Sequence, residues 1–300
     1  MRTRKLIAAA ALCLLCSCEK GQYYYRYPIV DLESTYHFNF IIDDSVLYLP
    51  PKQPELLWVR LYDVDSHREL RNMYAYPSGL YTSVTPGDYD ITAYVSEKNS
   101  IKVGYDYDLS LLTAYTEVTG DSGEGKVIEA PSHLLYGELD RYRVPFVGKD
   151  DGIWEIDVPM ASPFDSWRIM VNGVENLGYA SKIQFYVTGQ YKEMELSERK
   201  GIGRAVIGFA GRTSGGVIDT PFVTFGMIPD ERLLVQLQIY DQAGYHYQTT
   251  VDLTAQKLDP MNTRHILTFD FDAVLQAMVP GGLDPTADEW DTHYEHSTIQ

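Results

Sequence analysis

Residues 233–254 read Leu233-Leu234-Val235-Gln236-Leu237-Gln238-Ile239-Tyr240, then Asp241-Gln242-Ala243-Gly244, then Tyr245 to Thr254. Leu233, Val235, Leu237 and Ile239 fall on every second position, which carries them to one face of a strand. The Asp-Gln-Ala-Gly run is a turn between two strand-like runs, so the segment predicts a hairpin. The same period of two recurs upstream. Leu57, Val59 and Leu61 oppose Trp58, Arg60 and Tyr62, and Tyr89, Ile91, Ala93 and Val95 alternate with Asp90, Thr92 and Tyr94. Trp167, Ile169 and Val171 oppose Arg168, Met170 and Asn172, while Ile183, Phe185 and Val187 oppose Gln184, Tyr186 and Thr188. Thr85-Pro86-Gly87-Asp88 sets a tight turn, with Pro fixing φ and Gly supplying a positive one. Helical signals are confined to Asp108–Tyr115 and Asp272–Met278, both too short to cover a parallel sheet. The pattern predicts an all-β fold of antiparallel sheets packed as sandwiches, with short helices only.

The chain divides near its middle. Gly148-Lys149-Asp150-Asp151-Gly152 is polar and glycine-flanked, as linkers are, and Ile153-Trp154-Glu155-Ile156-Asp157-Val158 starts a new alternating strand. This predicts an N-terminal sandwich over 35–149 and a C-terminal one over 153–279, each of ordinary size. Thr119–Lys126, rich in Gly and acid, reads as an exposed loop of the first half. Residues 280–300 read as a flexible acidic tail.

Charge and cysteine usage narrow the function. The 300 residues hold 25 Lys+Arg against 42 Asp+Glu, a formal net charge of −17. That balance opposes nucleic acid, whose phosphates need clustered cations, and opposes an electrostatic grip on anionic lipid. Hydrophobic residues make up 45% of the chain, enough for a real core. All three cysteines lie within the first 18 residues, which removes zinc-ribbon and disulfide-scaffold readings of the body.

Those first residues form a leader. Met1-Arg2-Thr3-Arg4-Lys5 is a positive start, Leu6–Leu15 is a short apolar segment, and Cys16-Ser17-Cys18 ends it. This is the plan of a secretory signal, too short to span a bilayer. Leu15-Cys16-Ser17-Cys18 resembles a bacterial lipobox, with Cys16 where Ala, Ser or Thr is usual. The resemblance implies a signal peptide over 1–17, acylation (palmitate among the chains) of Cys18, and a lipidated tether over 18–34. Two or more acyl chains make such attachment effectively permanent. The alternative is an ordinary cleaved signal that happens to contain Cys. Glu19 after the lipid position resembles a weak surface-export tag of Bacteroides-type bacteria, and reads equally as part of a polar tether.

No catalytic constellation emerges, so the reading is not an enzyme and needs no cofactor or metal. His293 and His296 have a ligand-like spacing but lie in the tail, and structural metal sites need about four ordered ligands. Asp43-Asp44, Asp63/Asp65 and Asp106/Asp108 lack the glycine and final Glu of a calcium loop. Gly201/Gly203 and the Gly211–Gly216 run match no phosphate-binding fingerprint and read as hairpin connections. Trp58, Trp154 and Trp167 sit in apolar strands, where core packing is the ordinary role. Trp290 stands in the acidic tail with no core to fill.

Several places together resemble the fimbrillin superfamily of Bacteroidales lipoproteins. They are the lipobox, Val84-Thr85-Pro86-Gly87-Asp88-Tyr89-Asp90-Ile91, the strands Trp167–Val171 and Ile183–Gly189, Leu258-Asp259-Pro260-Met261-Asn262-Thr263, and Gly281-Gly282-Leu283-Asp284-Pro285 with Trp290. The resemblance implies two tandem transthyretin-like sandwiches and an outer-membrane, lipid-anchored and surface-exposed protein. It implies a structural or adhesion role, anchoring or assembling fimbriae of the type V kind. Partners would be fimbrial subunits or other surface proteins, joined by β-strand addition, with Trp290 as a docking residue. Polymerising members are cut after a basic residue in their first strand. Tyr36–Ile42 holds neither Arg nor Lys, and Arg26 and Lys52 lie in flanks, which favours an anchor over a shaft subunit. A glycan-binding surface lipoprotein without catalytic activity is the alternative, and a row of exposed aromatics on one sheet face would favour it. Mass spectrometry of the membrane fraction should find an acylated Cys18 as the first residue, and Cys18→Ser should release the protein into the soluble fraction. An unmodified start elsewhere would contradict the lipobox reading.

Overall fold

The computed structural model describes residues 35–42, 56–96, 101–132, 134–147 and 151–278. The first strands are β1 (Thr35–Ile42), β2 (Leu57–Asp63), β3 (Glu69–Ala75), β4 (Leu80–Thr82) and β5 (Gly87–Ser96). Then come β6 (Lys102–Gly104), β7 (Thr113–Tyr115), β8 (Val118–Ser122), β9 (Gly125–Glu129), β10 (Leu134–Val144) and β11 (Ile153–Met160). The second half holds β12 (Asp165–Glu175), β13 (Ala180–Gln190), β14 (Glu193–Glu195), β15 (Lys200–Ile202) and β16 (Ala205–Ala210). It continues with β17 (Thr213–Ser214), β18 (Val217–Thr224), β19 (Leu234–Asp241), β20 (His246–Asp252), the short helix α1 (Thr254–Leu258) and β21 (Ile266–Val274). The fold is all-β, as the alternation requires. The hairpin read at 233–254 forms as β19 and β20, paired from Leu234↔Asp252 to Tyr240↔His246.

Two sandwiches result. In the first, the sheet β11-β1-β4 faces the sheet β10-β5-β2-β3 across a core that includes Phe38, Leu57, Val59, Ile91, Ile156 and Val158. In the second, the sheet β17-β18-β12-β21 faces the six-stranded sheet β20-β19-β13-β16-β9-β8, around Ile169, Val171, Phe185, Val235, Leu237 and Leu267. Most ladders are antiparallel. Three are parallel among the described residues: β1 with β11, β12 with β21, and β9 with β16.

Strand membership crosses the middle of the chain in both directions. Ile153–Met160, on the far side of the boundary expected near residue 150, pairs along its whole length with β1. Its inward Ile156, Val158 and Met160 complete the first core. In return β9 pairs with β16 of the second half, and β7 pairs with β14 in a small sheet of order β15-β14-β7-β6. A third core fills the space between the sandwiches. Tyr62, Leu112, Ile128 and Tyr136 come to it from before residue 150; Phe164, Met194, Ile207 and Phe225 come from after. The Phe164 and Phe225 rings meet edge to face, centroids 5.0 Å apart, a favoured aromatic geometry. Where β10 passes the end of β11 only Gly137 fits, since a Cβ there would stand 2.5 Å from the Pro159 carbonyl oxygen.

Three local expectations are corrected. Thr119–Lys126 is not a loop: β8 and β9 pair from Val118↔Ile128 to Ser122↔Gly125. Its polar residues gave no alternation, and the hairpin is held by backbone pairing and by buried Val127 and Ile128. Asp108–Tyr115 holds only a 3-10 turn at Leu109–Leu111 before β7, with Asp108 accepting from the Ser110 N–H. Asp272–Met278 is no helix. β21 runs to Val274, because Ala273 and Leu275 alternate into the second core.

Candidate functional site

The first strand sits in a slot. β1 lies between β11, parallel from Thr35↔Ile153 to Ile42↔Met160, and β4, antiparallel over Tyr36–Phe38. Alternation sends Tyr36, Phe38 and Phe40 into the core, where they are 0%, 0% and 6% exposed. The Tyr36 hydroxyl donates to the Pro145 carbonyl at 2.7 Å, so its polar end is satisfied. A buried aromatic removes about 150–250 Å² from water. At ~25 cal/mol per Å² that is roughly 4–6 kcal/mol per ring before entropy, an upper bound. The outward face sets the register. His37 Nδ1 lies 2.7 Å from the Glu155 carboxylate and its ring stacks on Tyr81 at 4.1 Å; Asn39 donates to Asp157 at 3.0 Å. Both polar pairs join residues in direct register. Glu155 and Asp157 were missed from the sequence. The signal was His-x-Asn in one strand and Glu-x-Asp in the other, in the same phase.

The tryptophans do not share a face. Trp58 packs against Tyr74, centroids 4.2 Å apart, with the Arg60 guanidinium 5.2 Å from its ring centre. Arg60 is buried, bonded to Glu69 and to Asp106, and its Nε donates to the Tyr94 hydroxyl at 2.9 Å. Burial pushes the Tyr94 phenol up to about 12, so it stays a neutral donor and acceptor. The group pins the 105–107 segment over β2, with Tyr62 donating to the Asp106 carbonyl at 2.9 Å. Trp167 is in the second core, stacked on His265 at 4.5 Å. Trp154 is 44% exposed on β11, and its indole N–H donates to Tyr142 at 3.4 Å. Cys18, the 18–34 tether, Asp43-Asp44, Trp290, His293 and His296 lie outside the described residues.

Of the acidic pairs that are described, Asp63 and Asp108 serve turns, while Asp106 pairs with Arg60. The Asp63 carboxylate accepts from the Ser66 N–H and hydroxyl and from the Asp65 N–H, which holds it below the usual carboxylate range. Asp108 caps its 3-10 turn. Among the described residues no three His, Cys, Asp or Glu side chains gather at a metal-sized point, and no helix is long and apolar enough to cross a membrane. Gly215 and Gly216, both at positive φ, turn β17 into β18 as a hairpin connection should.

The chain is similar to several solved structures. A candidate adhesin from Bacteroides ovatus superposes with a TM-score of 0.58 at 17% identity, over 84% of this chain and 96% of that one. A candidate polysaccharide-binding protein from Bacteroides thetaiotaomicron gives 0.49 at 11% identity, over 79% and 90%. A fimbrial anchor protein from Porphyromonas gingivalis gives 0.45 at 13%, over 79% and 88%. No family model matches the chain, and no curated protein matches it. The first of these likenesses shows a shared fold, in keeping with the all-β sandwich architecture described above.

Phe38→Ala empties the middle of the slot. It should lower the unfolding free energy by about 3–5 kcal/mol, read from urea denaturation. A loss below about 1 kcal/mol would mean that β1 is not held by its aromatics.

Proposed function

We propose that the protein is a non-catalytic, lipid-anchored cell-surface protein that holds fimbriae at the outer membrane. The observation that carries this is the seating of β1. It is paired on both sides, it buries three aromatic rings, and Tyr36–Ile42 contains no Arg or Lys at which a basic-specific protease could free it. A shaft subunit must vacate such a slot to receive a neighbour's strand; an anchor keeps its own. The lipobox residues Leu15–Cys18, the fimbrillin-like segments and the adhesin-type fold support the same reading. Residues 18–34 then serve as the tether from Cys18. Partner subunits are joined by strand addition, in which main-chain bonds provide affinity and alternate side chains set the register. The segment 280–300 with Trp290 is the donor.

Deleting the gene in the native host should release fibres into the medium while fibre length is kept. A chain ending at residue 279 should be stable and membrane-bound but should release fibres as the deletion does. Electron microscopy and fractionation read both outcomes. Fibres that remain on the cells in the deletion strain would overturn the anchor role.

A further inference from the structure

The outer face of the six-stranded sheet holds a second feature, away from the β1 slot. On β13 and β19, Gln184 lies beside Gln238 and Tyr186 beside Gln236. Across β13, the same two rows meet Ala210 and Gly208 of β16. The floor is therefore made of very small residues, flanked by a ring and by amides. A cavity of about 610 Å³ opens here, and it is lined both by β8 (Thr119, Gly120, Asp121, Ser122) and by Gln236 and Gln238 of β19. Those strands stand at positions four apart in the sheet order. The β8–β9 hairpin thus forms one side of a trough that crosses the outer face of the sheet. A smaller hollow of about 210 Å³ continues past Ser122, Tyr186 and Gln236 toward Thr188 and Thr250.

We propose that this trough binds a neutral oligosaccharide. Its chemistry selects that class. The amides of Gln184, Gln236 and Gln238 and the Tyr186 hydroxyl make no hydrogen bond to other described residues, so their donors and acceptors face the trough unspent. Amide groups match the paired hydroxyls of a sugar, and the Tyr186 ring supplies an apolar flank. No Lys or Arg lines the cavity, and Asp121 and Glu129 do, which disfavours sulfated or sialylated chains. Asp121 is itself paired with Lys126 at 2.7 Å. Across β13, β16 and β19 the floor of the trough is a sheet face whose backbone is already paired, so it meets a ligand through side chains. Gly208 is the sensitive point of the floor: a Cβ there would lie 3.2 Å from Val127 and 3.4 Å from Tyr186. Any larger side chain fills the space that the sugar would take. The site is independent of the anchor role, because it uses no residue of the β1 slot, Cys18 or Trp290.

The purified full chain should be probed on an array of neutral, sialylated and sulfated glycans, and a retained glycan titrated by calorimetry. Retention of neutral oligosaccharides is expected. Gln236→Ala and Gln238→Ala should each weaken binding about tenfold or more without shifting the melting temperature, and Gly208→Val should abolish it. Gln236→Ala leaves the floor unchanged and keeps the test valid if Gly208→Val fails to fold. No retained neutral glycan, a preference for anionic ones, or binding that Gln236→Ala leaves unchanged would overturn the proposal. Fibre attachment in the host is scored separately, so failure of one reading leaves the other standing.

Discussion

The rest of the structure depends on the core that both halves of the chain build together. Phe164, Met194, Ile207 and Phe225 pack with Tyr62, Leu112, Ile128 and Tyr136 in one buried cluster. The strands β11 and β9 bind this arrangement further, since each completes a sheet in the half to which it does not belong by sequence. Hydrophobic burial at ~25 cal/mol per Å² is non-directional. It is the parallel ladders that fix which half supplies which strand. Separating the halves would expose three cores, not one boundary. With no cysteine beyond residue 18, no disulfide holds the described residues, and burial has to supply their stability.

That constraint positions both functional features. β11 can form one wall of the β1 slot only because the chain returns to the first sandwich after crossing to the second. The polar trough takes one of its sides from the β8–β9 hairpin, attached to the edge of a sheet from the second half. The slot is filled by the aromatics of β1, which face a core; the trough is lined by amides and faces solvent.

The strands were legible because period-two alternation reports directly which residues are half-buried. Leu57–Leu61, Ile183–Val187 and Leu233–Ile239 all turn their expected faces inward. Partnering was not legible. His37 and Glu155 are 118 positions apart and meet across a parallel ladder that no turn announces. Alternation set Arg60 and Tyr62 opposite Leu57, Val59 and Leu61, yet β2 is covered on both sides, and the second cover is the shared core with the 105–107 segment. Asp272–Met278 carried apolar residues at a spacing compatible with a helix, and tertiary pairing with β12 decided for a strand. Gln184, Tyr186, Gln236 and Gln238 were legible on the outward face of their strands, but the rest of the trough depends on β16 and on β8 and β9, whose polar sequence concealed a hairpin.

Native-state hydrogen exchange in increasing denaturant tests the shared core most directly. The slowest amides of β2 and β5 in the first sandwich and of β13 and β19 in the second should open with one common free energy. Phe225→Ala should lower both sets together, by about 3–5 kcal/mol. Two separate opening free energies, with Phe225→Ala moving only the second, would contradict a single cooperative unit built across the middle of the chain.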